Sequence, residues 1–188
     1  HEHRRQRQMC IRDRSKGYKE LEAMQRFIGC LVVLIGLWTV SAFAQPKVQI
    51  SADLGAVTSA QRYAIAEASE VMEEFMLAFN SKDSARWANT LLFPHARISS
   101  GGVVVHPSRG EFVAQMDFQA FARNYNWQRS AWDSLKVVQA GANKVHIAVQ
   151  FTRYDAQQKP LASFESLYIL QPNAAGKWGI RARSSFAP

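Results

Sequence analysis

Three side chains of this 188-residue chain have the chemistry for acid–base work and fall in separate apolar stretches: His95, Asp133 and Glu165. Glu165 is the most informative. It lies in LASFESLYILQ, residues 161–171, where Leu161, Ser163, Glu165, Leu167 and Ile169 alternate with Phe164, Ser166, Tyr168 and Leu170. In a strand the two sets point to opposite faces, and both are apolar enough to be covered. A carboxylate on a covered face must be paired, protonated or in contact with a wet cavity. A carboxyl held protonated in a cleft marks a functional site, whereas one paired with an arginine is structural. His95 and Arg97 alternate with Ala96, Ile98 and Ser100, and the apolar set is expected to face inward. Asp133 opens the next strand region. His95, His106 and His146 are too scattered for a metal site. No nucleophile motif or phosphate-binding glycine loop is present, so the sequence asks for no metal and no cofactor.

Aromatic residues supply the second signal. Tyr125, Trp127 and Trp132 fall close together, and Trp87 lies in a short helical stretch. Aromatic walls with a few polar groups suit a small-molecule pocket, although tryptophans also fill ordinary cores.

The elements that would position these groups read clearly. Residues 45–57 form an irregular lead-in. Thr58-Ser-Ala-Gln61 fits a capping box before a helix reaching about Ser81, with Ile65, Ala68, Met72, Phe75, Met76 and Phe79 on one stripe. Glu67, Glu70, Glu73 and Glu74 take the polar side. Asp83 caps a short helix that Pro94 is expected to stop. Residues 95–99 and 103–106 form a hairpin around Ser100-Gly101-Gly102. Ser108 to Glu111 opens a third helix burying Phe112, Met116 and Phe121. Four strands follow at 131–140, 144–154, 161–171 and 177–185. In the second of these, Val145, Ile147, Val149 and Phe151 share the face that packs on the helices. In the last, Trp178, Ile180, Ala182 and Ser184 oppose Arg181 and Arg183, which are expected on a solvated or dimer-forming surface.

This order is α+β: a curved antiparallel sheet of about six strands wrapped on three helices from the N-terminal half. The stretches MEEFMLAFNSKDSARW, LLFPHARISSGG and SFESLYILQPNAAGKWGIRARSS resemble the NTF2-like superfamily, a cone-shaped fold that includes ketosteroid isomerase and the SnoaL-like polyketide cyclases. The resemblance covers nearly all of 58–186. It implies that Glu165, Leu167 and Ile169 face the inside of the cone. It also places Phe75, Trp87, Ser100, Tyr125, Trp127, Trp132, Phe151 and Glu165 around a ligand pocket. Ketosteroid isomerase chemistry needs a carboxylate base, a tyrosine and a late acid. Motif matching puts Ser100 and Phe75 at the first two positions and Glu165 at the third, so that mechanism is not expected. A fold with many activities identifies none of them. The readings are a binding domain for a small, largely apolar molecule, a SnoaL-like lyase or isomerase drawing on Glu165, His95 or Asp133, and a dimeric assembly module using the open sheet face.

The N-terminal part reads as an export signal. Residues 1–23 are charged and aperiodic, and QRQMCIRDR resembles translated adapter sequence, so this part is expected to be non-native. Residues 24–44 carry a basic start at Met24, an apolar run from Phe27 to Val40 and Ala42-Phe-Ala44, the pattern of a signal peptide cleaved after Ala44. The run is short for a membrane span. The expected location is periplasmic or secreted, with no stable membrane anchor after cleavage. Cys10 and Cys30 both precede that point. Residues 45–188 hold 15 Lys and Arg against 11 Asp and Glu, a mixed balance that is no nucleic-acid footprint.

Overall fold

The structure, a computed structural model, describes residues 45–188. The expected leader 1–23 and signal segment 24–44 lie outside the described residues. Among the described residues no helix is long and apolar enough to cross a membrane.

Helix α1, Ser59–Asn80, begins where the capping box predicts. The Thr58 side chain accepts from the Gln61 amide at 3.2 Å, and the Thr58 amide donates to the Gln61 side chain at 2.8 Å. Gln61 also donates to the Ala140 carbonyl at 2.8 Å, which ties the helix start to the sheet. At the other end, Asn80 exchanges two hydrogen bonds with the Ser130 backbone, both 2.8 Å. Met72, Phe75 and Met76 are buried between these anchors. Helix α2, Ser84–Ala88, is capped by Asp83 and buries Trp87.

The expected third helix is two helices. Helix α3, Arg109–Gln115, is capped by Ser108. Met116 then takes an extended conformation, and Asp117 caps helix α4, Phe118–Tyr125. An Asp able to accept from the Ala120 amide at 2.8 Å competes with continuing the helix.

The sheet is curved and open, with seven strands in the order β1-β4-β5-β6-β7-β2-β3. Strands β2 (Leu91–Ser99) and β3 (Gly102–His106) form the first hairpin. Strands β4 (Arg129–Ala140), β5 (Val145–Tyr154), β6 (Pro160–Pro172) and β7 (Trp178–Ser185) form an antiparallel meander. Strand β7 also pairs in parallel with β2. Beyond the six expected strands, the lead-in contributes β1 (Gln49–Ile50), parallel to β4. Pro94 does not end the short helix: that helix stops at Ala88, and Pro94 lies within β2.

Two irregularities interrupt the ladders around β7, and one of them changes which side chains face the helices. The β2–β7 register shifts between Leu91 and Ala96, and the β6–β7 register shifts between Ile169 and Leu170 opposite Arg181. An extra residue in a strand reverses the facing of the residues after it. In β2 Leu91, Phe93, His95 and Arg97 keep one unbroken parity that faces the core, while Ile98 is 46% exposed, the reverse of the expected alternation. In β7 Trp178 and Ile180 are buried, and after the shift Arg183 and Ser185 turn inward in place of Ala182 and Ser184.

Candidate functional site

A cavity of about 340 Å³ lies between the inner sheet face and the helices. Helix α1 lends it Phe75, Met76 and Phe79, and α2 lends Trp87. Phe112, Gln115, Met116, Phe121 and Tyr125 of α3, α4 and the break between them form another wall. The rings pack edge to face and tilted. Phe75 lies 5.4 Å from both Trp87 and Tyr168, and Trp132 stands perpendicular to Phe151 and to Tyr168. Such pairs favour a fixed wall.

The sheet floor is polar. Cross-strand partners place Val104, Arg97, Arg183, Tyr168, Ile147 and Val137 in one row across six strands. Arg153 of β5 joins the floor, as do His106, Ser130 and Ser185. Arg153 is only 7% exposed. Its guanidinium lies 5.0, 5.2 and 4.9 Å from the ring centres of Phe121, Tyr125 and Phe164. Arg183 lies 5.1 Å from the Trp87 ring centre and 5.6 Å from that of Phe75, and interacts with the Tyr168 hydroxyl. Arg97 donates to the Pro188 and Ala187 oxygens at 2.7 and 3.3 Å. The Nε atoms of Arg153 and Arg183 are buried without a hydrogen-bond partner among the described residues. Among those residues, too, no Asp or Glu lines the cavity. The salt bridge found among them is Arg86–Glu74, on the surface at 2.7 Å.

These cations act on one another. Burial, and then the charge of Arg183, push the Arg97 guanidinium below its ordinary value. Burial does the same to Arg153, with Arg97 and Arg183 adding to the effect and Tyr125 opposing it. Arginine stays charged nonetheless. Burial pushes the Tyr168 phenol up, and the neighbouring Arg183 partly offsets this.

Two histidines lie beside this floor. His95 is fully buried. Its Nδ1 is 3.1 Å from the Ile180 carbonyl, which can only accept, so the proton is assigned to Nδ1. Nε2 has no partner among the described residues. Burial, then Arg183, bring its pKa down to about 3. His106 lines the cavity, and its ring centre is 6.3 Å from that of His95. Burial and Arg183 lower its pKa, while a hydrogen bond donated to the Gln115 side chain opposes them. Among the described residues no three His, Cys, Asp or Glu side chains gather to hold a metal ion.

The expected site residues separate. Phe75, Trp87, Tyr125, Trp132 and Phe151 line the cavity. Trp127 does not; it is buried behind α4 and donates to the Ser130 hydroxyl at 2.9 Å. Ser100 is exposed in the β2–β3 turn. Glu165 is exposed on the outer face, because β6 takes its facing from β5: Val149 pairs with Ser166 and Phe151 with Phe164, so those partners turn inward and Glu165 outward. Asp133 is also exposed on the outer face, where it accepts from the Thr152 hydroxyl at 2.6 Å. Of the three acid–base residues singled out in the sequence, His95 alone lies inside, and it packs behind the cavity wall. Arg97, Arg153, Arg183, His106 and Tyr168 were not singled out. Arg153 was within reach, since it continues the alternation of Val145, Ile147, Val149 and Phe151 by one step.

A family model described as NTF2-like protein (DUF6841) matches residues 66–185, most of the described chain. The chain belongs to the NTF2-like family DUF6841. Solved structures agree on the fold. A Catenulispora acidiphila protein in complex with S-DNPA aligns at TM-score 0.54 and 16% identity, covering 67% of this chain and 94% of that one. A Nostoc punctiforme protein of unknown function with a cystatin-like fold gives 0.54 at 14% identity, covering 69% and 92%. An NTF2-like protein with a cystatin-like fold from Novosphingobium aromaticivorans gives 0.53 at 10% identity, covering 66% and 82%. No curated protein matches the chain. At these identities the likeness speaks for the NTF2-like fold alone.

Proposed function

We propose that this NTF2-like domain binds a small, largely apolar molecule in its cavity. The observation that carries the proposal is a space of about 340 Å³ walled by Phe75, Phe79, Trp87, Trp132 and Phe151, with most of its polar groups on the sheet floor. That size and lining are those of small-molecule sites. Native mass spectrometry tests it: the purified protein should carry a mass that leaves on denaturation, and Met116→Trp, which fills the cavity, should abolish it. A bare apo mass, together with no change in Tm on adding 1-naphthalenemethanol, overturns the reading.

One observation favours a second reading, a SnoaL-like lyase or isomerase. His106 faces the cavity with its pKa lowered, so it is a free base near neutrality; a base of that kind suits proton abstraction next to a carbonyl. It would take the role expected of Glu165. Deuterium exchange at the α-carbon of 2-tetralone, lost in His106→Gln, supports this; exchange no faster than buffer removes it.

Export and self-association belong to the same proposal. The signal-like pattern at 24–44 supports a periplasmic or secreted location. For a homodimer, the support is on the outer sheet face. One cross-strand row holds Ile169, Ala182, Ala96 and Val105, and the next holds Leu167, Ser184, Ile98 and Val103. Ile98, Val103 and Val105 are 46%, 67% and 57% exposed. An open apolar patch of this kind fits a second copy of the sheet.

A further inference from the structure

We propose that Arg97, Arg153 and Arg183 form a receptor for the carboxylate of an aromatic acid, whose ring system occupies the aromatic part of the cavity. This rests on the pocket reading and gives its ligand a chemical class.

The cavity holds uncompensated charge. Three guanidiniums face it, and among the described residues no Asp or Glu lines it. Arg153 is buried, and a buried, unpaired ion costs several kcal/mol even after relaxation; the half-buried Arg97 and Arg183 cost less. The rings over Arg153 and Arg183 return about 0.5–2 kcal/mol per contact, and the backbone oxygens at Arg97 satisfy that group in part. The need that remains is directional. Nε of Arg153 and Nε of Arg183 are buried donors with no acceptor among the described residues, and an orphaned buried donor is itself unfavourable. A carboxylate brings acceptor oxygens and the missing negative charge together, in the planar form a guanidinium fork binds best. The stacked rings hold Arg153 and Arg183 in place beforehand, which reduces the ordering cost of binding. Apart from His106, Gln115, Ser130 and Ser185, the rest of the cavity is apolar and aromatic, so the carboxylate belongs on an aromatic body.

Isothermal titration with 1-naphthoate and 1-naphthalenemethanol, which share a ring system and differ in the anion, tests this. The wild type should prefer 1-naphthoate by at least about tenfold, the low end for hydrogen bonds to charged groups. The preference should shrink in Arg153→Met and Arg183→Met, and persist in Arg181→Met, whose side chain instead donates to the Phe93 carbonyl. Equal binding of the two probes by the wild type overturns the anion site and leaves the pocket reading standing. Binding of neither overturns the pocket reading itself. The wild-type comparison needs no variant to fold. A preference that survives unchanged in folded Arg153→Met and Arg183→Met also overturns the assignment.

Discussion

His95 shows how one buried side chain sets a pH response. Its pKa falls from 6.5 to about 3, with burial as the main cause. Between those values the unfolded chain binds a proton that the folded one refuses. Stability therefore rises with pH across this window and is lost as pH falls, by up to about 1.4 kcal/mol per pH unit. His106 and His146, both lowered by burial, act in the same direction. Urea unfolding should show a lower midpoint at pH 5 than at pH 7. His95→Asn, which keeps a donor for the Ile180 carbonyl, should make that drop shallower. Parallel drops in variant and wild type would exclude His95 as the group responsible. Glu165 gives the opposite expectation: exposed and away from the cavity, its change to Gln should leave 1-naphthoate affinity unchanged within about twofold. Its inward placement followed from the resemblance, whereas its own strand partner, Gln150, is exposed and pointed the other way. Partners across a ladder share a face, so the well-marked stripe of β5 could have assigned β6. The inward turn of Arg183 could not be read this way, since it depends on a register shift that leaves no composition signal; Arg97 could have been, since it continues the alternation of Leu91 and Phe93.

At the level of elements, helices and meander were legible because both ends of α1 are marked and the β5 stripe is unbroken. The α3–α4 break was hidden by an apolar pattern that runs through it, though Asp117 was its visible cap. Two joints hold the cavity walls against the sheet. Asn80 clamps the end of α1 to Ser130, which is 2% exposed. Asn80→Ala leaves that amide and carbonyl without partners and should cost about 1–3 kcal/mol in chemical denaturation. The second joint is Gly179. A Cβ there would meet Leu92 Cγ at 2.8 Å and the Thr90 carbonyl at 3.3 Å. Gly179→Ala should lower stability by about 1–3 kcal/mol by pushing β7 from the segment leading into β2. An unchanged unfolding midpoint would mean that Leu92 yields freely.

Across the whole domain, the two sheet faces divide the work. The inner face carries the cations, and the outer face carries two apolar rows over β6, β7, β2 and β3. Light scattering after size exclusion should report a dimer for residues 45–188, and Ile98→Lys or Val103→Lys should shift it to monomer. A wild-type monomer at micromolar concentration would remove the self-association proposal while leaving the cavity untouched. The strand order has a further consequence for how the chain matures. Strand β7 lies between β6 and β2, so the β2–β3 hairpin meets the rest of the sheet through the strand made last among the seven. A nascent chain still lacking residues 178–185 would hold a finished hairpin and a finished meander with no ladder between them. The floor of the cavity closes only once residues 178–185 pair with both neighbours.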